Sequence, residues 1–174
     1  MDILDTFEIQ SAMRAFERDP KVRSAIDSCP HPERIEFILK NKELGREPYT
    51  GKMHSNCHGC ALWLAGFYDG TRPLYVHDTT MEKMIASGRF RKEKRIGSIA
   101  LVRHINGSLD HSGLYIGDPL NCPTAVHQLD TGEEFGLSFL EESDWFFERG
   151  FRMPEYYFLE RKPKVDISPI LYLY

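Results

Sequence analysis

Three residues of this chain have the types and the order of a thiol–imidazole machine: Cys57, His111 and His127. A thiolate is a far better nucleophile than a thiol, and a free thiol ionises only near pH 8.5. Cys57 opens a run (Cys60, Ala61, Leu62, Trp63, Leu64, Ala65, Phe67) whose apolar character on nearly every side predicts a buried helix. The N-terminus of a helix carries partial positive charge and free N–H groups. Both favour a thiolate, and the N–H groups can also receive the oxyanion of an attacked acyl group. The backbone N–H of Cys57 is therefore one expected oxyanion donor. His111 lies in Leu109-Asp110-His111-Ser112-Gly113-Leu114-Tyr115-Ile116-Gly117, a strand by its alternation. There His111, Gly113 and Tyr115 share one face, and Ser112, Leu114 and Ile116 share the other, the natural core face. His127 lies in the next strand. If the two strands are neighbours, it stands beside His111 and orients it, completing a nucleophile–base–orienter set.

The elements that must position these groups follow from period and punctuation. Residues 2–18 read as an amphipathic helix through Ile9, Ala12, Met13 and Phe16. Asp19-Pro20 caps and opens a second helix, Cys29-Pro30-His31-Pro32 breaks it, and Glu33 to Lys42 resumes as helix until Gly45. Residues 46–56 are rich in turn formers and read as a loop. Thr79-x-x-Glu82 is a capping box for a helix over 80–87 ended by Gly88. The period then becomes two: Ile96 to Arg103, Asp110 to Gly117 and Thr124 to Asp130 read as strands. Asn106-Gly107 reads as a hairpin turn with positive φ at both positions. Ser138-x-x-Glu141 predicts a helix closed by Gly150, Glu155 to Arg161 a further strand, and Ile170 to Tyr174 a last strand or a loosely packed tail. Helices followed by mostly antiparallel strands make an α+β layout.

The chain of 174 residues fits one domain. A hydrophobic share of 41%, a charged share of 28% and a net charge of -4 place it among ordinary globular proteins, away from disordered chains and from basic nucleic-acid binders. The apolar run from Cys60 to Tyr68 is too short to span a membrane, so no membrane partner is expected. The acidic start Met1-Asp2-Ile3-Leu4-Asp5 is unlike a signal peptide. The expectation is a cytoplasmic protein with reduced thiols, or one exported by a machine that reads no such peptide.

Together these residues resemble the NlpC-type branch of the papain-like cysteine peptidases and amidases. The correspondence runs through Asn56-Cys57-His58-Gly59, then Ile96-Gly97-Ser98-Ile99-Ala100-Leu101, then His111 to Gly117, then Val126-His127. It covers residues 55–161, with the order Cys, His, His. Asn56, His58 and Ser98 depart from the Asp, Ser and Asp usual in that family. The resemblance implies a papain-like core behind a helical extension over residues 1–54, and a tail over 162–174. It also implies amide cleavage through a thioester: Cys57 attacks, His111 moves the proton and His127 holds His111. Peptides are the implied substrates, peptidoglycan stem peptides among them, and no cofactor is implied.

Other chemistries compete for the same residues. His54-x-x-Cys57-x-x-Cys60, completed by His58 or Cys122, is a compact zinc-ligand set, although structural zinc usually shows two such knuckles. Cys57-His58-Gly59-Cys60 has the dithiol redox form without the surrounding βαβ context. Acyl transfer or deamidation would use the same nucleophile. Trp145-Phe146-Phe147 and Tyr156-Tyr157-Phe158 would suit a binding module. The basic run Arg89 to Arg95 reads as a solvated link.

Overall fold

The computed structural model describes residues 14–48, 53–140 and 150–162. The expected strand over Ile170 to Tyr174, the start of the first helix and the Trp145-Phe146-Phe147 segment lie outside these. Residues 14–18 are helical. Asp19 then accepts the Lys21 N–H at 2.8 Å, and Pro20 occupies the first turn of α1 (Pro20–Asp27), which buries Val22 and Ile26. Helix α2 (Pro32–Lys40) buries Ile35 and Ile38 and passes into a 3-10 turn over Lys42–Arg46. Helix α3 (Cys57–Leu64) is buried at all eight positions. Helix α4 (Asp78–Ile85) is capped by the side chain of His77, which accepts the Thr79 N–H. The N-cap expected at Thr79 is thus replaced by one at His77, two residues earlier.

Six antiparallel strands form one sheet: β1 (Phe90–Lys92), β2 (Ile99–Arg103), β3 (Leu109–Gly117), β4 (Thr124–Gln128), β5 (Phe135–Phe139) and β6 (Glu155–Leu159), in the order β1-β6-β2-β3-β4-β5. The fold is α+β. Two strands were not expected. The basic run contains β1, because Phe90 to Lys92 pair with Leu159 to Tyr157 while Phe90 is buried. The helix expected to open at Ser138 does not start there, because Ser138 sits within β5, paired with Ala125 of β4; its remaining stretch over 141–149 lies outside the described residues. The β2–β3 turn is also looser than a two-residue hairpin. Gly107 alone of the pair has positive φ (91°), and its N–H bonds the His104 carbonyl at 2.9 Å.

The helices lie on one face of the sheet. Val22, Ile26, Ile35 and Ile38 of the N-terminal helices join Cys60, Leu62 and Leu64 of α3 in one core with Ile99, Leu101, Leu114, Ile116 and Val126. Residues 14–48 and the sheet thus share a core. The opposite face carries a smaller cluster of Ala100, Tyr115, Ala125, Leu140 and Tyr156. Arg103 ties the layers at their margin, bonding Glu82 of α4 and, at 3.1 Å, Glu155 of β6. Among the described residues no helix is long and apolar enough to cross a membrane.

Candidate active site

The start of α3 is clamped by the buried side chain of Asn56. The Asn56 side-chain oxygen accepts the N–H groups of Gly59 and Val76, each at 3.0 Å, and its amide donates to the Val76 carbonyl at 2.8 Å. One buried side chain thus caps the helix and fixes the segment around Val76 beside it. Gly59 lets that segment approach: a Cβ there would fall 1.6 Å from the Leu74 carbonyl oxygen, which no side chain tolerates. The Tyr68 hydroxyl completes the join, donating to Gly59 O at 2.9 Å and accepting from Leu74 N at 3.0 Å.

On this platform Cys57 Sγ lies 3.6 Å from His58 Nδ1. The same nitrogen is 2.8 Å from the Ser112 hydroxyl, and His58 Nε2 is 3.2 Å from an oxygen of Asp78. An ionised carboxylate only accepts, so Asp78 keeps the proton on Nε2. Nδ1 is then the free base, facing both the thiol and the hydroxyl. His58 and Ser112 are buried, whereas Asp78 at the start of α4 is largely exposed.

Burial governs the electrostatics. It pushes the Cys57 thiol up to about 11, against the pull of hydrogen bonds from Ser112 and the His58 backbone. Desolvation thus opposes the thiolate that the helix-terminal N–H groups favour, and it is the larger of the two effects here. Burial also lowers the His58 pKa, with Asp78 opposing. The resting pair is a neutral thiol beside a neutral imidazole, and the proton must move as the sulfur attacks.

The expected partners are elsewhere. His111 Nε2 and His127 Nδ1 do meet, at 2.7 Å with rings perpendicular. Yet Ser112 is the β3 residue that reaches the α3 face, and neighbouring strand residues point to opposite faces. His111 therefore projects from the far side of the sheet, as does His127 between Val126 of the main core and Gln128, whose amide reaches Gly45 O beside the helices at 3.2 Å. The Cys57–His111 contact, and with it the set Cys57, His111, His127, is not assembled. On the far face His127 Nε2 is also 2.7 Å from the Ser138 hydroxyl.

His58 beside the nucleophile, Asp78 and Ser112 were the residues that sequence reasoning missed as a group. Ser112 was signalled by its place on the core face of β3. Asp78 carried no signal, because its approach depends on how α4 packs. His54, Cys57 and Cys60 do not form a ligand cluster: among the described residues no three His, Cys, Asp or Glu side chains converge as a metal site would require. All four cysteines are free thiols.

No family model, no curated protein and no solved structure matches this chain.

Proposed function

We propose that the chain is a cysteine-dependent amidase or peptidase, with Cys57 as nucleophile, His58 as general base and acid, and Asp78 orienting His58. The observation that carries this reading is the file Cys57 Sγ–His58 Nδ1–His58 Nε2–Asp78 at a helix start, at 3.6 and 3.2 Å. Cys57 Sγ attacks the amide carbonyl while its proton passes to His58 Nδ1, directly or through the Ser112 hydroxyl. His58 returns that proton to the leaving amine, and water then opens the thioester with His58 again as base. The Cys57 N–H at the helix start is the oxyanion donor. A buried helix that starts at the cysteine, followed by an antiparallel sheet, supports a papain-like core of NlpC type in which the base has moved to the residue after the nucleophile. Peptides are the substrate class, stem peptides of peptidoglycan first among them.

The test is incubation of the full chain with a library of peptide amides that includes cell-wall stem peptides, with acid-quenched samples read by mass spectrometry. The expected result is cleavage with an acyl group on Cys57, lost in Cys57→Ala. Equal cleavage by Cys57→Ala, or no cleavage of any member, overturns the reading.

A further inference from the structure

The far face of the sheet holds a second file of polar groups that the chemistry at Cys57 does not use. Ser138 Oγ lies 2.7 Å from His127 Nε2, and His127 Nδ1 lies 2.7 Å from His111 Nε2. Protons in this file have one consistent arrangement. His127 Nδ1 also faces the Gln128 carbonyl oxygen at 3.2 Å, and a carbonyl only accepts. Nδ1 therefore carries the ring proton and donates it to His111 Nε2. That leaves His127 Nε2 as an unprotonated base with the Ser138 hydroxyl donating to it. This is the nucleophile–base–orienter geometry, with an imidazole in the place more often held by a carboxylate.

The file opens into a cavity of ≈ 280 Å³ walled mainly by Val102, Leu129, Leu140 and Phe151, with Asp110 as its one acidic residue among those described. Ser138 is only half-buried, on the outermost strand, while His127 is buried. A half-exposed nucleophile backed by a sheltered base, against a largely apolar wall, suits a small substrate with a hydrocarbon acyl group. With Asp110 in its wall and, among the described residues, no Lys or Arg there, the cavity disfavours acidic acyl groups.

We infer that Ser138, His127 and His111 form a serine-based hydrolytic centre for esters of short apolar carboxylic acids. Ser138 Oγ bonds to the ester carbonyl carbon as its proton passes to His127 Nε2. The carbon–alkoxide bond breaks, and the alkoxide leaves with that proton as the alcohol. Water then attacks the acyl-Ser138 ester, gives a proton to His127 Nε2, and Ser138 Oγ recovers it as the carboxylic acid departs. Ester and water become acid and alcohol, with no other reactant. His111 Nε2 holds the Nδ1 proton of the transient His127 imidazolium throughout. Burial keeps both rings neutral at rest, with His111 lowered to about 3 and His127 to about 4, so the base is unprotonated at neutral pH.

The test uses the full chain with p-nitrophenyl butyrate and, separately, an alkyl fluorophosphonate probe, with the adduct located by mass spectrometry. The expected result is a probe adduct on Ser138 and ester turnover that falls about 100-fold in Ser138→Ala, the scale of a general-base step. His127→Gln should lose the adduct as well. Ser138→Cys, which keeps the side-chain size, should give turnover that iodoacetamide abolishes. An adduct on Cys57 alone assigns the ester reaction to the thiol centre and overturns the inference, as does unchanged turnover in Ser138→Ala with native circular dichroism. No adduct and no turnover overturns it too, and leaves the amide reaction at Cys57 to be judged on its own substrates.

Discussion

Asp78 and His58 meet across the junction of α4 and α3, with a carboxylate oxygen 3.2 Å from Nε2. The contact decides which ring nitrogen of His58 is free to act as base. Asp78→Asn can present an amide N–H to Nε2 and so favour the wrong tautomer. The expected outcome is a fall of about 10-fold or more in the iodoacetamide alkylation rate of Cys57 at pH 8, with little change in melting temperature, because Asp78 is largely exposed. An unchanged rate would remove Asp78 from the file.

The four thiols should alkylate in a fixed order. Cys122 is the most accessible. Cys57 follows, since burial raises it only to about 11. Cys29, pushed up to about 12, comes next, and the fully buried Cys60 last. The Cys57 rate should climb about tenfold per pH unit between pH 7 and 10, as the thiolate fraction grows. Peptide-resolved mass spectrometry reads both the order and the slope.

Acid should weaken the fold through the far-face histidines. Their folded values, about 3 for His111 and about 4 for His127, lie below the ordinary 6.5, so the unfolded chain binds protons that the folded chain refuses. Their contribution is fully present above about pH 6.5 and is lost as pH falls toward 4, at about 1.4 kcal/mol per pH unit for each histidine. Urea midpoints at pH 7, 6 and 5 should fall, and His127→Gln should flatten the slope.

Asn56→Ala should cost about 2–4 kcal/mol, because it removes a helix cap and leaves the buried Val76 N–H and C=O without their partners. Gly59→Ala should cost about 3 kcal/mol or more, since the new methyl meets Leu74 backbone that cannot swing aside. Thermal melts of both variants check this, and a Gly59→Ala protein as stable as the parent would mean that the 70–76 segment sits elsewhere.

Much of the fold was legible in the sequence. The caps at Asp19 and Gly88, the apolar run of α3 and the period of two in β2, β3 and β4 all carry local signals. β1 was hidden because an edge strand needs only one buried side chain, Phe90, among charges. β5 was hidden because pairing with β4 overrode the capping signal at Ser138. The site was half legible. Cys57 at a helix start and the His111–His127 pair were both expected, and each is present. Their meeting was not, and the alternation of β3 already held the reason: the face bearing Leu114 and Ile116 is the one the helix covers, and it carries Ser112. Which face a helix chooses is a tertiary fact, but once the core face is assigned, parity decides every neighbour.

The order β1-β6-β2 has a consequence for how the chain is made. β1 and β2 follow one another closely in sequence but are held apart by β6, which is more than fifty residues downstream. While a ribosome is still short of Leu159, Phe90 to Lys92 and Ile99 to Leu101 have no partner for the edges that β6 will fill. Both centres can be laid down on α3, α4, β3, β4 and β5 before then, yet the sheet beneath them stays open on one side. A nascent chain stalled in that interval offers an unpaired apolar edge to its neighbours on the same message, so the stretch from 104 to 154 is where synthesis speed and chaperone capture would most affect yield.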